Sequence, residues 1–355
     1  MIHPLFYMKP TTLLLSSLTA LLLISACGSH SSTPTPASSP VSPAPPAYTS
    51  WIVGDTADVK TQPLGGVLLA GGSTDVDAAM RWLLRRAAGG DVLIIRATGS
   101  NGYNKYLFND LGETVNSVET LLLDDRNLSG NVDVLRKVRN AEAIFFSGGD
   151  QANYVNFYQG TPLADALNER IRAGAVVGGT SAGCGILGGA YFTAKRGTIR
   201  SEEALANPYD ARVDLQHDDF LRHPLLTNVF ADMHYDNPDR QGRHLTFMAR
   251  ARTDWAVQPR GIGTDEQTAV GISPDGTVRI FGRGTAYFLE AGNTRPETCR
   301  AGQPLTWMAG KQAVHVWTLP GSADGTTGFE LTTFRPTTAS TAKAGFWYAE
   351  NGEKK

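Results

Sequence analysis

From Trp51 onward, short apolar runs recur, most of them closed by small or polar turn residues, and stretches of helical periodicity lie between them. Gly65–Ala70 (GGVLLA) ends in Gly71-Gly72-Ser73, and Asp77–Ala88 then places Ala78, Ala79, Leu83 and Leu84 opposite Arg81, Arg85 and Arg86. Asp91–Ala97 (DVLIIRA) is a second run, and Leu121-Leu122 opens a third before the turn residues Asp124-Asp125. Leu128–Val138 reads as a helix, and Ala143–Phe146 as a fourth strand that stops at Ser147-Gly148-Gly149-Asp150-Gln151. Pro162–Arg172 is an amphipathic helix leading into the apolar run Ala175–Gly178. Strand, glycine turn and helix in repetition predict an α/β fold: a mostly parallel sheet with helices on both faces, whose ligands bind at the carboxyl ends of the strands. From Gly271 the texture changes. Thr277–Phe281 and Thr285–Leu289 alternate about Gly282-Arg283-Gly284 as a hairpin would, and Ala313–Leu319, Gly328–Phe334 and Ala344–Tyr348 read as further strands. Residues 291–355 are therefore expected to be a β-rich C-terminal extension, with Trp307, Trp317 and Trp347 as core aromatics, a saccharide-binding surface being the alternative.

The amino terminus has a different pattern. Lys9 precedes the apolar run Leu13–Ile24, which is short for a membrane span and ends in Ile24-Ser25-Ala26-Cys27. Small residues directly before a cysteine resemble a bacterial lipoprotein signal, which predicts lipid attachment at Cys27 and anchoring to a membrane. The alternative is a secretory signal cut near Ala26. Either signal exports the chain. Ser29–Pro46 is rich in Ser, Thr, Pro and Ala and has little apolar surface to bury, as in an extended tether. The expected organisation is a signal over 1–27, a tether over 28–50, an α/β domain over 51–290 and the extension over 291–355.

Composition narrows the chemistry. Of 355 residues, 41% are hydrophobic and 19% charged, and the net charge is −2, so no polyanion partner is indicated. No basic cluster with interleaved aromatics points to nucleic acid. The three cysteines show no CxxC spacing, which argues against a metal. GxxxxGK[ST] is absent, and neither a nucleotide nor another cofactor is expected.

The chemistry centres on Gly179-Thr180-Ser181-Ala182-Gly183, between the strand Ala175–Gly178 and the helix-like Ile186-Leu187. A serine with glycine two residues away on each side, between strand and helix, fits a nucleophile elbow. The Ala182 N–H would then lie where an oxyanion forms, with a second donor expected from the Gly71–Gly72 turn. A serine hydroxyl needs a base, normally a histidine oriented by a carboxylate. Of the histidines beyond the signal and tether, His234 stands out. It lies between the apolar Val229-Phe230 and the polar cluster Asp236, Asp239, Arg240 and Arg243. Glu202 and Glu203, in Ser201-Glu202-Glu203-Ala204-Leu205, come between nucleophile and histidine. That is the chain order of other elbow hydrolases, although acids are also common at helix starts, where Ser201 would be the cap.

FSGGDQ (146–151), GGTSAG (178–183), SEEAL (201–205) and DMHYDNPDRQGR (232–243) together resemble the cyanophycinase branch of the S51 serine peptidases. GIGTDEQTAV (261–270) also resembles a segment of that family. The resemblance implies a class I glutamine amidotransferase-like fold and a Ser-His-Glu triad. Ser181 would be the nucleophile, His234 the base and Glu203 the acid, with Glu202 next and Asp265 or Glu266 weaker, expected to be structural. It further implies that Gln151 and Asp232 face the substrate and that Arg240 and Arg243 bind substrate carboxylates. Proline at 238 and methionine at 233 depart from the family pattern and bear on the substrate. The implied substrate is cyanophycin, an arginine-bearing poly-aspartate cut to β-Asp-Arg dipeptides. Short aspartyl peptides and a non-catalytic binding lipoprotein are the alternatives, and the resemblance leaves a homodimer open.

Overall fold

The computed structural model describes residues 47–355. The signal, Cys27 and nearly all of the tether lie outside them. Five short, almost wholly buried strands build the centre: β1 (Val67–Ala70), β2 (Asp91–Arg96), β3 (Ser117–Leu122), β4 (Ala143–Phe146) and β5 (Val176–Thr180). They run parallel in the order β3-β2-β4-β5-β1. Thr49–Gly54 adds an antiparallel edge beside β3, and Thr268–Ile272 an antiparallel neighbour beside β1.

Alternate residues of each strand supply two cores, because successive side chains point to opposite faces. Leu68, Ile94 and Phe145 meet Leu83 and Leu84 of helix α1 (Asp77–Arg86) on one side. Leu69, Ile95, Ile144 and Phe146 meet three further helices on the other: α2 (Val132–Asn140), α3 (Gln151–Tyr158) and α4 (Pro162–Arg172). Helices cover both faces, as the pattern predicts. Thr161 caps α4 through Oγ1 and Pro162 fills its first turn, so its start is legible locally. Strand β3 begins four residues before the Leu121-Leu122 signal because three of its residues are buried polar ones. Glu119 pairs with Lys137, Thr120 bonds Asn104, and Ser117 bonds Asp91.

A second sheet of seven strands packs over the first core. At its centre Ala190–Phe192, Val229–Met233 and Arg260–Thr264 run parallel. Helix α5 (Ser201–Ala206) and helix α6 (Gln241–Asp254) cover its outer face. Strands beyond residue 290 join both sheets: Val314–Pro320 and Lys343–Trp347 extend the second, and Thr326–Glu330 and Arg335–Pro336 extend the first. Trp307 and Trp317 are buried, and Trp347 is half-buried against Tyr235 and Tyr287.

One expectation fails here. Thr277–Gly282 and Thr285–Ala291 do not pair as a hairpin, since the first belongs to the ten-stranded sheet and the second to the seven-stranded one. Gly282 has φ 101° and lies so close to the Gln267 carbonyl that a side chain would collide with it, and the chain crosses between sheets at that contact.

His244 in α6 is fully buried, with Nδ1 3.1 Å from the Tyr235 hydroxyl, and burial pushes its pKa down to about 4. His223 is likewise pushed down to about 4 by burial. The unfolded chain takes up these protons from about pH 6.5 downward, whereas the folded chain resists until about pH 4. Stability should therefore fall as pH drops through that window, by about 3 kcal/mol for each histidine. Urea unfolding at pH 7 and pH 4 measures the loss, and His244→Gln is expected to shrink the difference.

Candidate active site

The elbow is built by close approach. Ser181 has φ 51° and ψ −122°, a backbone conformation that few non-glycine residues adopt. Its N–H donates to the Ala70 carbonyl at 3.1 Å, fixing it to the end of β1, and its own carbonyl accepts from Cys184 at 2.9 Å. A side chain at Gly179 would fall on the Gly183 carbonyl, and one at Gly183 on the Phe146 carbonyl. Both glycines are thus required by space. The helix that follows, Ala182–Gly185, is a single turn, so it offers individual N–H groups rather than a macrodipole.

Ser181 Oγ lies 2.9 Å from Nε2 of His234, and Nδ1 of His234 lies 2.6 Å from Oε1 of Glu266. An Nδ1–H donated to the carboxylate leaves the Nε2 lone pair for the serine hydroxyl. Each member comes from a different junction. Ser181 follows β5 of the first sheet, and His234 follows Val229–Met233 of the second. Glu266 sits on the three-residue link between Arg260–Thr264 in the second sheet and Thr268–Ile272 in the first. That link is fastened at both ends. Glu266 N–H donates to Asp236 at 3.0 Å, Gln267 N–H donates to the Gly72 carbonyl at 3.0 Å, and Asp265 Oδ2 accepts from Thr285 N–H at 2.9 Å. His234, itself at φ 48°, donates its N–H to the Gly71 carbonyl at 2.8 Å.

The acid opposite His234 is therefore Glu266, and neither Glu202 nor Glu203 holds that place. Glu203 accepts from the Arg200 N–H at 2.9 Å and pairs with Arg212 at 3.0 Å, and these two bonds hold its carboxyl below its ordinary value. It fixes the start of α5, and Glu202 beside it is exposed. Ser201 lies inside α5, and its hydroxyl accepts from Gly242 and Arg243 N–H at 3.0 and 3.2 Å, capping α6 instead of its own helix. The order Ser, acid, His does not hold here, because the acid follows the histidine. The usable signal was an acid in Thr264-Asp265-Glu266-Gln267, between two apolar strands. Asp265, its neighbour, is nearly buried and pushed up to about 6 by that burial, and it holds the Thr285 backbone.

The glycine turn expected beside the oxyanion is also displaced. Gly72 packs against the imidazole, where a side chain would collide with His234. Gly148 approaches Ser181 instead: a Cβ there would sit 3.4 Å from the serine Cβ. Ala182 and Gly149 line the same cleft, so their backbone N–H groups are the donors within reach of an oxyanion there.

The cleft at Ser181 has a volume of about 460 Å³. Gln151 lines it with its amide tied to the Phe192 carbonyl. Arg240 and Arg243 line it too, in different states. Arg243 grips Asp232 through Nε at 2.9 Å and through Nη2. Burial alone would raise the Asp232 carboxyl, but Arg243, by charge and hydrogen bond, and the charge of Arg240 outweigh it and hold it low. Asp232 does not line the cleft, so its expected contact with substrate is replaced by fixing Arg243 from beneath. Arg240 donates to the Met233 carbonyl at 3.2 Å and comes no closer than 3.9 Å to Asp232. Burial and the charge of Arg243 lower its pKa to about 10, so it stays cationic near neutral pH. A larger cavity of about 540 Å³, over Trp82, contains none of these residues.

A serine on a strained turn, bonded to an imidazole that is bonded to a carboxylate, is the layout of a serine hydrolase. The model of peptidase family S51 matches residues 101–280, half of the chain and the span that carries Ser181, His234 and Glu266. The chain belongs to that family. It is similar to the cyanophycinase of Synechococcus elongatus, 32% identical over 185 residues, which are 52% of each chain. It is also similar to that of Geminocystis herdmanii, 27% identical over 185 residues, or 52% of this chain and 61% of that one. The chain spans about half the length of the curated relatives it matches. Among solved structures, a peptidase from an acI-B1 Actinobacterium aligns with a TM-score of 0.48 at 17% identity, over 64% of this chain and 91% of that one.

The geometry separates the two glutamates experimentally. Glu266→Gln should slow labelling of Ser181 by a fluorophosphonate by on the order of 10³-fold or more, through loss of imidazole orientation and charge. Glu203→Gln should change it by less than about threefold, since an exposed ion pair contributes little. Intact-mass kinetics of labelling reads both.

Proposed function

We propose that this chain is an exported serine peptidase that cuts peptide or isopeptide bonds next to aspartate. The observation that carries the proposal is the unbroken line from Ser181 Oγ through His234 to Glu266, with contacts of 2.9 and 2.6 Å. In the reaction, His234 Nε2 takes the hydroxyl proton as Ser181 Oγ attacks the carbonyl carbon. Glu266 stabilises the imidazolium without taking its proton. The Ala182 and Gly149 N–H groups donate to the oxyanion. His234 then gives the proton to the leaving amine, and water, activated by the same imidazole, releases the acyl group. Arg240, cationic and without a close carboxylate of its own, holds an acidic group of the substrate.

Cyanophycin is the substrate we propose, with β-Asp-Arg dipeptides as product. The likeness to cyanophycinases and the arginines of the cleft support this reading. The amino-terminal signal supports export, by lipidation at Cys27 or by cleavage near it, and an exported enzyme can reach an insoluble polymer outside the cell. A second reading, short aspartyl peptides, is favoured by the cleft itself, whose 460 Å³ suits a small ligand.

Incubating the mature chain with cyanophycin and with β-aspartyl dipeptides separates the two. Dipeptide release from the polymer is expected. Cleavage of the short peptides alone would move the assignment to the second reading, and cleavage of neither would refute the peptidase proposal. Ser181→Ala should lose at least about 10³-fold in kcat/KM, and full activity in that variant would exclude the mechanism.

A further inference from the structure

The cleft has a third cation, apart from the triad and the arginine pair. Lys195 lines the same cleft as Ser181 and Arg240, and it stands on the loop that follows Ala190–Phe192. Its side chain is exposed, and among the described residues its one polar contact is a neutral amide oxygen, Oε1 of Gln159, at 3.4 Å. Among the described residues no carboxylate lies within ion-pair distance of Lys195 or of its neighbour Arg196. The single acidic side chain lining the cleft, Asp150, is engaged in capping α3, where it accepts from Ala152 N–H at 2.9 Å.

The loop that presents Lys195 is fixed. Thr193 Oγ1 donates to Asp214 at 2.6 Å and accepts from Lys195 N–H at 3.2 Å. Gly197 N–H closes a turn on the Ala194 carbonyl at 2.9 Å, with Ala194 at φ 55° and Gly197 at φ 88°. Thr198 accepts from Arg243 Nη1 at 3.3 Å, which ties the loop to the buried Arg243–Asp232 pair. A cation held ready on an ordered loop, with no partner of its own, has the form of an anion anchor.

We propose that Lys195 is a specificity-determining residue that pairs with a second carboxylate of the substrate, while Arg240 holds the first. This rests on the peptidase reading of the cleft and sharpens it: the preferred ligand carries two carboxylates, as a short aspartyl peptide with a free carboxyl terminus does. An amide at that terminus removes the charge and keeps the shape. The preference for acid over amide therefore isolates the contact.

The test is calorimetric binding to the whole chain carrying Ser181→Ala, with β-aspartyl-glycine and its carboxyl-terminal amide as the two probes. The acid should bind about tenfold tighter than the amide at low salt, and the ratio should shrink as ionic strength rises. Adding Lys195→Met should bring the ratio to about one, and Lys195→Arg should restore most of it. Lys195→Gln serves as a second neutral variant, and unchanged thermal unfolding of each confirms the fold. A ratio near one without any change at Lys195, a preference that survives Lys195→Met, or no binding of either probe would each overturn the proposal. Phosphonate labelling of Ser181 in the unsubstituted chain reports on the peptidase reading separately, because that reagent carries no carboxyl terminus.

Discussion

Everything at the site depends on how Ser181 is held. Its backbone sits where a side chain is strained, and it stays there because Gly179 and Gly183 let three segments approach within backbone contact. Strain of this kind costs on the order of 1–3 kcal/mol and survives only when the surroundings over-determine it. Here the surroundings are the buried ends of β1, β4 and β5. The hydroxyl is thereby placed at the edge of the parallel sheet, where the loops after the strands converge.

The second requirement is that two sheets stay in register. Serine follows a strand of one sheet and histidine a strand of the other, and the glutamate lies on the link that runs between them. Sliding one sheet past the other by a residue would break the line. The contacts that prevent it are backbone bonds at close quarters: His234 to Gly71, Gln267 to Gly72, and Asp265 to Thr285. Gly71 and Gly72 serve this closure. Their lack of side chains gives room to the Asp265 carbonyl and to the imidazole.

Charge divides the cleft into scaffold and reagent. Arg243 and Asp232 are buried together, and each satisfies the other, which is the condition under which charges can be buried at all. That pair holds the floor of the cleft and, through Thr198, its lip. Arg240 reaches Asp232 only at 3.9 Å, with that carboxylate already held by Arg243, and Lys195 contacts a neutral amide, so an acidic ligand would be their partner.

The linear chain determined much of this. Apolar runs, turn residues and helical periodicity specify the parallel core with helices on both faces, because burial periodicity is a local property. The GxSxG spacing specifies the elbow for the same reason: the crowding lies within five residues. The polar cluster after Val229–Met233 singled out His234. Other features depended on residues distant in sequence. The choice of Glu266 over Glu203 required knowing that a strand from each sheet meets at residues 265–267. An acid at a helix start and an acid on a sheet-to-sheet link look alike until that link exists. The displaced oxyanion turn, the burial of Asp232 under Arg243 and the crossing at Gly282 are likewise products of packing. Each depends on contacts between residues far apart in the chain, and only the tertiary structure decides those.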